Sequence, residues 1–400
     1  MRVLYLGANP RMQLSTHSAP GLRALGIKNG LEQAGFQFVP LMAGDQVNSQ
    51  RARKIYLNRL KGQLPQKMTG SLRDVYEIYL DHRFYNFVKD RISDIQPDII
   101  LQKHSRYGRV GVRLGRRYNI PVFLDDITPV WEGERYSDRG LKRIARHIRK
   151  HLFSQASGLI AVSQEMEAQL QEEGVPGNKI LYVPNGVDCD LFNPSTTSME
   201  VRQKFDLEGK FVVGYVGGFQ QWHRLDLLIQ VASLLIEIVP NIHFILVGDD
   251  KDGRVRQMAR EKALLDRFTF AGSVSHSEVP LFLASMDITI LPSTLPYMSP
   301  MKIYEYLAMG KPVVAPNKNS IVETVVIPGQ QGILFEAGDV TSMKNAIITL
   351  AINPGIRRKM GEEARKSVLN YYTWYHQVGD LITAFQSALI SKGSYAVPFS

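Results

Sequence analysis

Cysteine is nearly absent. Cys189 is the single thiol in 400 residues, which excludes an internal disulfide and a thiolate metal cluster and makes a reducing, cytoplasmic setting the expectation. Long apolar runs are absent too. The most hydrophobic window, residues 227–247, is broken by Glu237, Pro240 and Asn241, short of the roughly 18–20 uninterrupted residues a bilayer span requires. The amino-terminal apolar stretch ends before Asn9, too short for a secretion-signal core and shaped like a first β-strand. Glycine and proline are scattered, with no repeat or low-complexity tract, so collagen-like and disordered classes are excluded. No Asp/Glu/His group shows metal-ligand spacing such as H-E-x-x-H, and no metal or other cofactor is expected.

What is present is cationic charge, unevenly placed. The net charge is +10, with 28 Lys+Arg against 19 Asp+Glu in residues 1–195 and 20 against 19 in residues 196–400. The excess is densest at 51–150, with 23 basic residues against 11 acidic. There Leu141, Ile144, Ala145, Ile148 and Leu152 share one helical stripe, while Lys142, Arg143, Arg146, Arg149 and Lys150 lie mostly off it. Three readings fit: a basic amphipathic helix on anionic lipid, a phosphate or nucleic-acid surface, and an ordinary helix packed under a solvated basic face. No zinc-finger spacing or aromatic RNA-binding box accompanies the charge, so no nucleic acid is expected as a partner. Peripheral contact with an anionic membrane through the basic N-terminal half stays open beside the packed-helix reading.

The length is about twice the ~100–200 residues of one domain. Short apolar strands alternate with helical segments. Strands are predicted at 3–6, 99–102, 122–125 and 159–162, with helices at 22–34, 110–118 and 165–172. After the polar residues 193–199 come strands at 211–216, 244–247, 288–291 and 312–315, with helices at 225–238, 255–263 and 302–309. The strand runs are continuously apolar, as parallel strands covered on both faces require. The expectation is an α/β fold of two Rossmann-like, doubly wound parallel-sheet domains, residues 1–195 and 196–370, with residues 371–400 beyond them. Open parallel sheets hold ligands at the carboxyl ends of their strands, here in an inter-domain crevice. Asn9, Asp125 and Asp126 follow predicted strands and would line it.

The strongest local signal is residues 295–315, LPYMSPMKIYEYLAMGKPVVA. Ser299 and Pro300 read as N-cap and first helical residue, aiming the amides of Met301, Lys302 and Ile303 out of a helix N-terminus suited to phosphate. Lys302 in the first turn opposes the helix dipole unless an anion lies near. Glu305, one turn in, is placed to accept hydrogen bonds from a vicinal diol such as a ribose. The plain alternative is a capped helix with an exposed lysine and glutamate.

Other segments join this one: the Val183-Pro184-Asn185-Gly186-Val187-Asp188 box, and residues 216–229, VGGFQQWHRLDLLI, with a strand end, a glycine loop and a helix start. So do Ala19-Pro20-Gly21, the 161–163 and 247–249 strand ends and residues 271–276. In these residues the chain resembles retaining glycosyltransferases of family 4, the GT-B type with two Rossmann-like domains. The resemblance implies transfer of a hexose from a nucleoside diphosphate sugar, UDP being the commoner carrier. The basic first half suggests an acceptor held at an anionic surface, a saccharide or lipid-linked species of envelope or exopolysaccharide synthesis. The resemblance also implies retained configuration and no metal, while the lone cysteine and the basic half point to a cytoplasmic place peripheral to the inner membrane face. By position, Glu305 would hold the ribose, and Met298, Ser299, Pro300, Met301, Lys302 and Ile303 would wrap the diphosphate. Gly248, Asp249 and Val274 would frame the base, with Gly217, Gly218 and His223 in the adjoining loop. Gly21 would admit backbone to the diphosphate from the opposite side.

Three departures stand out. The family usually has Arg and Lys where this chain has Gly218 and His223, leaving Arg224 and Lys302 as candidate cations. Tyr297 replaces a second glutamate eight residues before Glu305, which passes sugar contacts to the amides of 298–301. His104, at or one residue from a family histidine, would orient the acceptor, as would Asp126, with Asn9 and Asp125 on the acceptor side. A loop histidine with a satisfied hydrogen bond is the alternative for His104. Two other functions use the same residues: a two-Rossmann sugar-nucleotide epimerase, and a non-catalytic nucleic-acid or membrane-binding protein built on the basic half.

Overall fold

The computed structural model describes residues 1–9, 12, 14, 18–46, 66–125, 141–322 and 327–391. By its internal contacts the chain forms two compact units, Met1–Pro184 with Val378–Ser400, and Asn185–Gln377. The first crossing falls at the Asn185-Gly186 turn. The Tyr371–Gln377 stretch stays with the second unit, and the helix Gly379–Ile390 belongs to the first, where Phe385 packs on Phe123 (4.8 Å between ring centres) and Phe36 (6.4 Å).

Each unit is built on a six-stranded sheet whose pairings are all parallel. The first holds β1 (Arg2–Gly7), β2 (Gln37–Met42), β3 (Ile99–Lys103), β4 (Val122–Asp125), β5 (Gly158–Ala161) and β6 (Ile180–Tyr182), in the order β2-β1-β3-β4-β5-β6. The second holds β7 (Phe211–Val216), β8 (Ile242–Val247), β9 (Phe268–Gly272), β10 (Ile288–Ile290), β11 (Val313–Pro316) and β12 (Gly332–Phe335). Read from β9 its order is β9-β8-β7-β10-β11-β12, the Rossmann order 3-2-1-4-5-6. Strand order reverses between β1 and β3 in one sheet and between β7 and β10 in the other, the points at whose carboxyl ends such sheets hold their ligands.

The inner strands are buried along almost their whole length, β3, β4, β5, β7, β8, β10 and β11 at every residue. Their Val, Ile and Leu side chains face helices on both sides, each fully buried one contributing about 1.5–3 kcal/mol before chain entropy is counted. Close approach sets residue size in places: a Cβ on Gly214 of β7 would lie 1.9 Å from Met286 Sδ.

The basic helix is Lys142–Gln155. Its buried side is Ala145, Ile148, Arg149, Leu152 and Phe153, one position round from the predicted stripe. Ile144, placed inside by spacing, is exposed, and Arg149, placed outside, is buried. The reason lies in Arg149's partners: its guanidinium forks the Glu173 carboxylate (2.7 and 3.1 Å) and stacks over Phe153. No helix among the described residues is long and apolar enough to cross a membrane.

Candidate active site

Two glycines shape the crevice of the second unit. Gly217, after β7, has φ +137°, and a Cβ there would lie 2.5 Å from Lys302 Nζ. Gly248, after β8, has φ +152°, and a Cβ there would lie 2.0 Å from the Gly217 carbonyl oxygen. Any side chain would be strained by the backbone and would push the two loops apart. Gly218 is different, because a Cβ there would meet only the movable end of Gln220.

The space left by Gly217 is filled by Lys302. Its Nζ donates to the Tyr215 hydroxyl (2.8 Å) and lies 4.3 Å from that ring's centre, and Tyr215 in turn donates to the Gly218 carbonyl (2.9 Å). Burial lowers the Lys302 pKa to about 7, against the nearby Glu305 charge, which favours the ammonium. Tyr215 is pushed well above the ordinary phenol value by burial and remains a neutral partner.

The helix carrying Lys302 is Met301–Ala308, with Pro300 as N-cap in extended geometry and no side chain capping it. This corrects the expectation of a Ser299 cap with Pro300 as first helical residue. Ser299 is drawn the other way: Asn185 donates through its amide to Ser299 Oγ (3.3 Å) and through Nδ2 to the Ser299 carbonyl (2.6 Å), and Tyr304 OH lies 3.0 Å from Ser299 Oγ. The correction favours the anion site, since no hydroxyl competes for the first amides and the helix dipole ends on Met301 and Lys302.

His223 and the other candidate cation, Arg224, are occupied differently. His223 is buried, its Nδ1 3.3 Å from the Ser293 carbonyl. A carbonyl only accepts, so Nδ1 carries the proton. Burial and the Lys302 charge lower its pKa to about 3, so it is neutral near pH 7. Arg224, in left-handed geometry at the next helix start, forks Asp226 at 2.8–3.0 Å. Of the two cations, Lys302 and Arg224, Lys302 is the one whose hydrogen bond goes to a neutral group.

Glu305 lies one turn further along, buried, with Oε1 2.8 Å from His276 Nε2. His276 rests against Phe192 (5.2 Å). His276 had no assigned role in the sequence; it stands 29 positions away, and only its place in the 271–276 segment hinted at it. Met298 and Val274 are half-buried and Asp249 is exposed. The helix is fixed at both ends. Tyr306 OH accepts from the Val216 amide (2.8 Å) and donates to its carbonyl (3.2 Å), and Arg365 donates to the carbonyls of Ala308, Phe192 and Cys189 (2.9, 2.7 and 3.2 Å). Tyr306→Phe leaves both polar groups of buried Val216 without the hydroxyl, and urea unfolding should report a loss of about 1–3 kcal/mol; an unchanged midpoint would remove Tyr306 from this role.

In the first unit Asp125 is 1% exposed and locked in an ion triad, with Arg23 at 3.0 Å and Lys103 at 3.1 Å. Burial pushes its pKa up, but the two cations overcome that and hold it below the usual carboxylate value. Asp125 therefore faces its partners inside the unit rather than open solvent. His104 follows β3, with Nδ1 3.5 Å from Arg149 Nη1. Gly21 sits in the first turn of the helix Ala19–Gln33, its amide on Ser18 Oγ (3.3 Å). Asn9 is exposed after β1 and its carbonyl accepts from the Met12 amide (2.9 Å). Asp126 lies outside the described residues.

Two family models match the chain, glycosyltransferase family 4 over residues 25–191 and glycosyl transferases group 1 over residues 198–367. The chain is 26% identical over 302 residues to the GDP-mannose-dependent alpha-mannosyltransferase of Mycolicibacterium smegmatis, spanning 74% of this chain and 76% of that one. Its fold is similar to Anabaena HepE, solved in complex with UDP (TM-score 0.69, 20% identity, 99% of this chain and 100% of that one). It is similar also to sucrose-phosphate synthase from Thermosynechococcus elongatus (TM-score 0.75, 18% identity, 98% and 99%). With matching models on both halves and two parallel Rossmann-like sheets, the chain belongs to glycosyltransferase family 4 and is a glycosyltransferase of the GT-B fold.

Proposed function

We propose that this glycosyltransferase moves a hexose from a nucleoside diphosphate sugar, with retained configuration and no metal, to a saccharide or lipid-linked acceptor of envelope or exported polysaccharide synthesis. One observation carries the donor reading: Lys302 beside an uncapped helix N-terminus at the switch point of a Rossmann sheet, with Glu305 one turn on. As the bond from the anomeric carbon to the diphosphate breaks, its electron pair stays on the phosphate oxygen, where Lys302 and the amides of Met301 and Lys302 meet the growing charge. The acceptor oxygen bonds to the anomeric carbon on the face the diphosphate leaves, and its proton passes to the departing phosphate. His104 or Asp126 orients the acceptor. The cationic excess of residues 1–195 supports an acceptor held at an anionic membrane surface, with the enzyme peripheral on the cytoplasmic side.

The similar proteins differ in nucleotide, one named for GDP-mannose and one solved with UDP; we assign UDP. Thermal unfolding with UDP, GDP, ADP or CMP tests this. A ligand at about 100 times its Kd stabilises by roughly 2.7 kcal/mol, a rise of a few degrees. A rise with UDP that is absent in Glu305→Ala is expected; a rise with GDP instead reassigns the nucleotide, and none with any removes the donor site.

A further inference from the structure

We propose that a cavity beside the glycine loop of the second unit is a second nucleotide site, separate from the donor crevice and taking a flat ring joined to a phosphate. The cavity has a volume of about 440 Å³ and lies between residues 219–221, the start of the helix Leu225–Leu235 and the helix Arg254–Glu261. Small-molecule sites span roughly 300–1,000 Å³. The topology sets it apart from the donor residues. The sheet grows one way through β7, β8 and β9 and the other way through β10 and β11. Right-handed crossovers therefore put Leu225–Leu235 and Arg254–Glu261 on one face of the sheet and Met301–Ala308, between β10 and β11, on the other.

The lining joins two chemistries. Leu225 and Val255 are buried and Phe219 and Met258 half-buried, an apolar floor on which a flat ring can stack. Arg254 is exposed at the rim, and no carboxylate among the described residues pairs with its guanidinium. Arg224 is held differently. Its backbone is left-handed (φ +51°), a conformation that glycine takes freely and that is strained for other residues, so the side chain rather than the backbone accounts for an arginine there. Asp226 forks that guanidinium and fixes its plane, and a fixed guanidinium plane stacks on a ring.

This combination selects the ligand. A bare anion leaves Phe219, Leu225 and Met258 without a partner, and a neutral ring leaves Arg254 without one; a nucleotide uses both. Phe219 also borders Gly248, where a Cβ would lie 2.9 Å from its ring, so the cavity adjoins the donor crevice through that side chain.

Calorimetric titration of the whole protein, with and without saturating UDP, tests it, the probes being adenosine 5′-monophosphate, uridine 5′-monophosphate, adenosine and inorganic phosphate. At least one monophosphate should bind once per chain with UDP in place, and adenosine and phosphate should each bind at least tenfold more weakly. Arg254→Glu should weaken that monophosphate at least tenfold. Met258→Trp, which fills the floor, should do the same, and both variants should keep the wild-type UDP affinity and thermal midpoint. Binding of neither monophosphate, or binding lost when UDP is present, overturns the second site. Phosphate that binds as tightly as the monophosphate leaves an anion site only and overturns it too. Binding that both variants leave intact removes the nucleotide from this cavity. A wild type that does not bind UDP loses the donor reading, while the two variants still decide the cavity.

Discussion

Lys302→Met should lower kcat/KM by about two to three orders of magnitude while the protein stays folded. A preorganised donor aimed at developing charge is worth about that much, and no neighbour can replace it: His223 is neutral and Arg224 is spent on Asp226. Methionine keeps the length and fills the space beside Gly217, so the thermal midpoint should hold. Arginine should not rescue, because the ammonium already sits where a single Cβ on Gly217 would collide. The ammonium also sets a pH signature. Its pKa is lowered to about 7 in the free protein, so the charged form that binds a diphosphate dominates below pH 7 and falls about tenfold per unit well above it. UDP affinity should decline accordingly from pH 7 to 9, with a proton taken up on binding in that range, and in Lys302→Met this component should vanish. Calorimetry in buffers of different ionisation enthalpy reads both. Equal activity in the variant, or a flat wild-type profile, would move the diphosphate elsewhere.

Glu305→Ala should weaken UDP by roughly two to four orders of magnitude, since hydrogen bonds to a charged acceptor are worth about 1.5–3 kcal/mol each and a ribose offers two hydroxyls. The informative comparison pairs UDP with its 2′-deoxy form. Wild type should prefer UDP; in the alanine variant the preference should disappear, which a general loss of structure would not produce. His276→Ala should cost less, about tenfold, because it steadies the carboxylate without touching the ligand. A 2′-hydroxyl preference that survives Glu305→Ala would falsify the ribose assignment.

Each of the eight inner strands was legible in the sequence, within a residue or two at each end, and the four that were not are the sheet edges: β2, β6, β9 and β12. An inner strand is covered on both faces, so its side chains form one apolar run that sequence displays. An edge strand is only half covered. β2 carries exposed Gln37 and Pro40, a residue tolerated at an edge because the missing donor faces no neighbour, while β6 has three residues. The helix Gln66–Lys89 escaped for a related reason, since Leu72, Val75 and Tyr79 on its outer side blur the periodic contrast that identifies a helix.

At the site the division is similar. Sequence alone determined the double parallel-sheet architecture, the glycine loops after β7 and β8, and Lys302 and Glu305 one turn apart, because strand burial, backbone geometry and helical spacing act over a few residues. Tertiary structure alone decided that Pro300 rather than Ser299 begins the helix, that His276 holds Glu305, that Asp226 takes Arg224 and that Arg23 and Lys103 enclose Asp125. Most of these pairings join residues far apart in the chain, and even the short-range ones depend on how loops settle. A hydrogen bond's worth depends on angle and burial, which the order of residues does not encode until the sheets have formed.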